Sequence, residues 1–116
     1  MITIQRADEA FLQTIGAPAG VEAMVLRDSD SSVLGHALFS VIGERVTLHS
    51  VDCAIPLMAE GLIRSVLNVG DCRGAVEGFC ADKNLETMLL RLEFQTVKDG
   101  YVVDLAHFFR GECHCS

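Results

Sequence analysis

The stretch "HSVDCAIPLMAEGLIRSVLN", residues 49–68, decides the fold because it begins as a strand and ends as a helix with almost no loop between them. Apolar residues recur at helical spacing from Ile55 onward, which predicts a helix near 55–69. Pro56 suits the first turn, where its missing N–H has no partner to lose. A strand that runs directly into a helix is typical of α/β proteins, and such a junction is a common place to bind an anion.

Elsewhere in the chain, short apolar segments alternate with turn residues, which predicts strands joined by tight turns. The predicted strands cover 1–7, 21–28, 33–43, 46–54 and 75–81, and a hairpin turned at Asp99-Gly100 covers 94–109. The remaining helices are predicted at 8–16 and near 83–92.

This order predicts an α/β (α+β) fold with one mixed sheet: an antiparallel meander, then strand, helix, strand, helix and hairpin. The strands near 46–53 and 75–81 should be parallel, because a helix crossover joins them. At 116 residues the chain should form a single domain over 1–116, with 110–116 as a flexible tail.

Composition narrows the classes of partner. The net charge is −7, which disfavours nonspecific binding to nucleic acid or to an anionic membrane. No run of residues is long and apolar enough to span a bilayer, and the N-terminus does not resemble a secretion signal. The chain has five cysteines, an odd number, and their spacing does not match a regular disulfide framework. We therefore expect a cytoplasmic protein that binds neither nucleic acid nor a membrane.

The element order resembles that of the GNAT superfamily of N-acetyltransferases. The resemblance covers roughly residues 21–109. The segments that carry it are "VTLHSVDCA", "GLIRSVL", "AVEGFCAD", "NLETMLLRLEF" and "YVVDLAHFF". The resemblance implies an acyl-CoA-dependent N-acetyltransferase, with acetyl-CoA as cofactor and a small-molecule amine as acceptor. It also implies that coenzyme A lies against the junction, at Val51, Asp52, Cys53, Met58 and Ala59.

The junction departs from the family pattern, in which an Arg or Gln precedes closely spaced glycines that hold the pyrophosphate. Residues 52–58 read "DCAIPLM" and contain neither a glycine nor an Arg or Gln. Pro56 removes one N–H donor, and Asp52 adds a negative charge. We therefore expect acetyl-CoA to bind weakly, or not at all.

A second departure concerns the group that protonates the leaving thiolate. Many family members carry a tyrosine for this purpose in the C-terminal helix, where this chain has Met88-Leu89-Leu90. Glu93 replaces the glycine that follows that helix. The only tyrosine, Tyr101, lies on a late strand and is expected to be a packed aromatic residue. The segment 8–16 supplies at most one of the family's two N-terminal helices.

Two residues are candidates for the general base. Glu77 lies among apolar neighbours, which would raise the pKa of a carboxyl group, although a rim position or an ion pair is the alternative. His49 is the second candidate, and a hydrogen-bonded sheet histidine is its alternative. Strand alternation predicts that His49 and Asp52 face opposite sides of the sheet unless a bulge intervenes.

Cys53 and the cysteines of the C-terminal tail invite other chemistry. Cys53 precedes a helix N-terminus, which lowers the pKa of a thiol, but no Cys-His-Asn pattern supports a nucleophile. The tail contains Cys113, His114 and Cys115, yet structural zinc needs four ligands at wider spacing. We expect no catalytic cysteine and no metal site.

Two functions stay open: an active acetyltransferase, or a non-catalytic module of the same fold that binds a ligand or self-associates. A short N-terminal segment would leave part of the sheet uncovered. We therefore expect a homodimer, with 33–43 and 105–109 as candidate contact segments.

Overall fold

The computed structural model describes residues 2–109. Within this range the chain forms seven strands and four helices. The strands are β1 (Thr3–Arg6), β2 (Glu22–Arg27), β3 (Val33–Ile42), β4 (Arg45–Cys53), β5 (Glu77–Cys80), β6 (Gln95–Val97) and β7 (Gly100–Asp104). The helices are α1 (Glu9–Thr14), α2 (Pro56–Cys72), α3 (Glu86–Arg91), which follows a 3-10 turn, and α4 (Leu105–Phe108).

All seven strands form one mixed sheet in the order β1-β2-β3-β4-β5-β7-β6. The pairing is antiparallel everywhere except between β4 and β5, which run parallel because α2 carries the chain back to the same end of the sheet. The predicted fold class and the predicted parallel pair are both confirmed.

The hydrophobic core lies between the sheet and the helices α2 and α3. Leu62, Ile63, Val66 and Leu67 of α2 are fully or almost fully buried. A Cβ atom on Gly70 would lie only 2.6 Å from the Cβ of Val46. The absence of a side chain at position 70 therefore lets α2 approach β4 closely.

The opposite side of the sheet is much less covered, and we call it the open face. Its helical cover among the described residues is α1, a six-residue helix with no buried residue. Phe11 of α1 contacts the ring of His36 at 5.7 Å between centroids. The cover stops there, and Ile42 of β3 remains 77% exposed.

The predicted hairpin at 94–109 is correct only in part. β6 and β7 pair as expected around the turn before Gly100, but residues 105–108 form helix α4 instead of continuing the strand. Asp104 ends the strand because its carboxylate accepts the N–H of Ala106 at 3.0 Å and so caps the helix. Phe109 is consequently buried in the core, which removes it as a dimer contact.

No helix in residues 2–109 is both long enough and apolar enough to cross a membrane.

Candidate functional site

The parallel strands β4 and β5 pair over only four residues, and we call the gap beyond their last pair the cleft. Their pairing begins at Arg45 with Glu77 and ends at Leu48 with Cys80. Beyond Leu48, β4 continues to residue 53, while the chain after β5 turns away into a 3-10 turn capped by Asp82. The backbone of residues 49–53 therefore has no β5 partner on that side.

A β-bulge stands at the start of this cleft. Leu38 of β3 pairs with Ser50, whereas its neighbour Phe39 pairs with Leu48, so His49 is an extra residue in β4. A bulge of this kind turns two successive side chains to one face of the sheet. His49 consequently shares the open face with Ser50 and Asp52, and the prediction that His49 and Asp52 face opposite sides is wrong.

His49 belongs to a short hydrogen-bonded chain on the open face. Its Nε2 atom lies 2.8 Å from Oγ of Ser40, and the Ser40 hydroxyl donates to the Gly20 carbonyl oxygen at 3.1 Å. Ser40 is 6% exposed, while His49 is exposed. The imidazole is thus held from one side and accessible from the other.

Glu77 lies away from the cleft. It begins β5, and its Oε2 atom accepts hydrogen bonds from the guanidinium of Arg45 at 2.5 Å. Because Arg45 stands four residues before His49, strand rise separates Glu77 from His49 by roughly 13 Å. The structure does not bring the two candidate bases together, and it shows the ion pair that was the alternative for Glu77. Its catalytic role stays a prediction.

The side chains just before the junction point in different directions. Asp52 pairs with His36 and therefore lies on the open face, away from α2. Cys53 lies on the α2 side of the sheet, next to Gly35 of β3. A Cβ atom added to Gly35 would lie 2.8 Å from the Cβ of Cys53. The Cys53 thiol donates a weak hydrogen bond to the Ile55 carbonyl oxygen at 3.7 Å.

The N-terminus of α2 offers few donors for an anion. Ile55 is the N-cap residue and supplies no side-chain hydrogen bond, and Pro56 follows it without an N–H. Inside α2 itself, the N–H groups of Leu57 and Met58 have no intrahelical acceptor. Ile55 is 46% and Leu57 is 73% exposed, so the rim of the junction is apolar.

These residues fit acyl-coenzyme A only in part. An apolar rim formed by Ile55 and Leu57 suits a pantetheine chain, and two free N–H groups suit one phosphate. Ala59 is buried and Met58 is half-buried against the core, and the cofactor contacts expected of both stay predictions. Val51 and Cys53 lie on the α2 side of the sheet, and their contact with coenzyme A stays a prediction.

Tyr101 is a buried structural residue, as predicted. It is 3% exposed, and its hydroxyl donates to Oε2 of Glu86 in α3 at 2.7 Å. This hydrogen bond to a carboxylate, together with desolvation, raises the pKa of Tyr101 to about 12. The phenol is therefore occupied on the α2 side of the sheet and does not reach the open face.

The structure describes one buried cysteine and also bears on metal binding. Cys80 is fully buried, and burial raises the pKa of its thiol, which favours an inert structural role. Within the part of the chain that the structure describes, no group of three or more His, Cys, Asp or Glu residues could hold a metal ion. The predictions for Cys113, His114 and Cys115 lie outside the described residues.

Sequence reasoning missed Ser40 and Gly20, which are 20 residues apart. The available signal for Ser40 was a serine within an otherwise apolar strand, β3, next to the strand β4 that carries His49. Their contact depends on the register between β3 and β4 and on the loop before β2, neither of which a local pattern specifies.

The sheet order, the splayed parallel pair and the strand-to-helix junction together define the fold of the GNAT acetyltransferases. Many solved structures share it. The ribosomal-protein-S18-alanine N-acetyltransferase from Escherichia coli superimposes with a TM-score of 0.73 at 12% identity, over 90% of this chain and 94% of that one. A GNAT-family acetyltransferase from Staphylococcus aureus gives 0.71 at 8% identity, over 90% and 99% of the two chains.

A third similar structure is relevant to the cofactor. The protein YhhK from Escherichia coli, solved bound to coenzyme A, gives a TM-score of 0.65 at 16% identity, over 90% of this chain and 98% of that one. No protein-family model and no curated protein sequence matches the chain. The likeness at these identities is one of fold.

Proposed function

We propose that this protein belongs to the GNAT superfamily and is an acyl-CoA-dependent N-acetyltransferase acting on a small-molecule amine. The observation that carries the proposal is the bulge that places the accessible imidazole of His49 where β4 and β5 begin to separate. The coenzyme A bound to the similarly folded YhhK supports acetyl-CoA as the acyl donor. A cytoplasmic setting, where acetyl-CoA is abundant, is part of the proposal.

In the proposed reaction, acetyl-CoA supplies the acetyl group as a thioester. His49 accepts a proton from the substrate ammonium, directly or through one water molecule, which frees the nitrogen lone pair. The amine nitrogen would then form a bond to the thioester carbonyl carbon and release its second proton to water, and the C–S bond would break. Solvent protonates the thiolate, because the Tyr101 hydroxyl is engaged with Glu86.

Calorimetric titration with acetyl-CoA tests the binding step. With two free N–H groups at the junction, we expect a dissociation constant of roughly 0.1 mM or weaker, which corresponds to about 5 kcal/mol. Asp52→Asn should leave this affinity nearly unchanged, because Asp52 lies on the face away from α2. Micromolar binding would show that further donors hold the pyrophosphate, and no binding at millimolar ligand would overturn the enzyme proposal.

The open face favours a second candidate function, a non-catalytic module that associates with another copy of itself. A cavity of about 380 Å³ on this face is lined by Phe79, Val97 and Val102, with Arg45, Glu77, Lys98 and Asp99 around them. Two cations and two anions make this region neutral, although the chain carries a net charge of −7. An apolar centre with charges of both signs at its rim is self-complementary across a two-fold axis.

A further inference from the structure

The hydrogen bonds around Ser40 specify which ring nitrogen of His49 carries the proton. A carbonyl oxygen only accepts, so the 3.1 Å contact between Ser40 and Gly20 requires the single hydroxyl hydrogen of Ser40. With that hydrogen committed, Oγ of Ser40 can only accept from Nε2 of His49, which lies 2.8 Å away. Neutral His49 is therefore protonated at Nε2, and its lone pair is on Nδ1.

The acceptor at the end of this chain is held in place by its own turn. The Val21 N–H donates to the Pro18 carbonyl oxygen at 3.2 Å, which closes a four-residue turn. Gly20 stands at the third position with φ +83°, the left-handed conformation that a type II turn requires there and that glycine adopts without strain. The turn thus fixes the position of the Gly20 carbonyl oxygen next to Ser40. This oxygen can accept a hydrogen bond from the Ser40 hydroxyl but cannot donate one.

We propose that Ser40 is a positioning residue that holds His49 in the Nε2–H tautomer and so makes Nδ1 its proton-accepting atom at the cleft. This proposal rests on the proposed acetyltransferase function, in which His49 is the general base. Within residues 2–109, Ser40 is the sole hydrogen-bond partner that the structure gives the His49 ring. Without the Ser40 hydroxyl, the His49 ring should therefore populate both neutral tautomers and more than one orientation.

A matched pair of substitutions isolates the hydroxyl. Ser40→Thr keeps it and adds a methyl group, whereas Ser40→Val adds the same bulk and lacks it, so any packing strain is common to both. Long-range ¹H–¹⁵N NMR of the full chain, with His49 assigned by His49→Gln, reports the tautomer directly. We expect the wild type and Ser40→Thr to show one tautomer with a slowly exchanging Nε2 proton, and Ser40→Val to show an averaged, rapidly exchanging mixture.

Two results would overturn the proposal: a wild-type proton on Nδ1, or identical His49 nitrogen shifts in the Thr and Val variants. If Ser40→Val does not fold, Ser40→Ala removes the hydroxyl without adding volume and replaces it in the comparison.

Turnover of acetyl-CoA with a panel of primary amines separates this inference from the function on which it rests. General-base catalysis contributes roughly 100-fold or more, so partial misplacement of the base should lower kcat about 10-fold in Ser40→Val relative to Ser40→Thr. The KM for acetyl-CoA should be equal in the two variants. Equal kcat values would overturn the positioning role. No turnover by the wild type would overturn the proposed function, while the NMR comparison would still decide the tautomer.

Discussion

At the residue scale, Glu93 adopts a backbone conformation that its side chain does not favour. It follows α3 and has a φ angle of +71°. Its N–H donates to the Leu90 carbonyl oxygen at 3.0 Å, and the Phe94 N–H donates to the Leu89 carbonyl oxygen at 2.9 Å. These two hydrogen bonds close the end of the helix. This is a Schellman motif, in which glycine normally occupies the left-handed position. The glycine of the family pattern is absent, yet the backbone retains the conformation that glycine would supply.

Glu93→Gly should therefore raise the free energy of unfolding. Relief of the left-handed strain is worth about 1–2 kcal/mol, and the extra freedom of glycine in the unfolded chain cancels about half of it. We expect a net gain of about 0.5–1 kcal/mol, measured by urea unfolding. Glu93→Ala is the control, because it removes the same carboxylate and keeps the strain. An equal gain in Glu93→Ala would assign the effect to the carboxylate instead of the backbone.

At the element scale, α2 packs on the sheet through a glycine that leaves no space for a side chain. Gly70 faces Val46 of β4, whereas Gly61 in the same helix has only the Ile4 side chain nearby, at 3.5 Å from a built Cβ. Alanine is favoured over glycine in a helix by about 1 kcal/mol, so the same substitution at the two positions separates helix propensity from packing.

Gly61→Ala should stabilise the protein by about 0.5–1 kcal/mol, because it gains helix propensity without a clash. Gly70→Ala should destabilise it by about 1–3 kcal/mol, since the new methyl group overlaps Val46. Thermal and urea unfolding of both variants measure the difference. A stabilising Gly70→Ala would show that α2 can move away from β4.

At the scale of the whole molecule, one face of the seven-stranded sheet is covered by α2 and α3 and the other mainly by the short helix α1. Segment 33–43 contributes to the open face through alternate residues, including Ile42. Segment 105–109 does not, because it folds as α4 with Phe109 in the core. The homodimer proposed from the sequence therefore needs a revised contact surface, centred on β3, β5 and β7.

Light scattering at micromolar concentration should give about twice the chain mass of 12.6 kDa. Ile42→Glu should shift the protein toward monomer, because it places a charge in the proposed contact. Leu57→Glu is the matched control, since Leu57 is similarly exposed, at 73%, and stands at the N-terminus of α2. A wild-type monomer at high concentration, or equal effects of the two substitutions, would contradict an interface on the open face.

The sequence by itself determined the order of the elements as far as β7, the parallel pairing of β4 with β5 and the strand-to-helix junction at Pro56. These features follow from apolar periodicity and turn residues, which act over a few neighbouring positions. The tertiary structure alone decided the bulge at His49, its contact with Ser40 and the ion pair of Glu77 with Arg45. Each of these depends on strand register or on side chains brought together from distant segments, and register is set by the packing of the whole sheet.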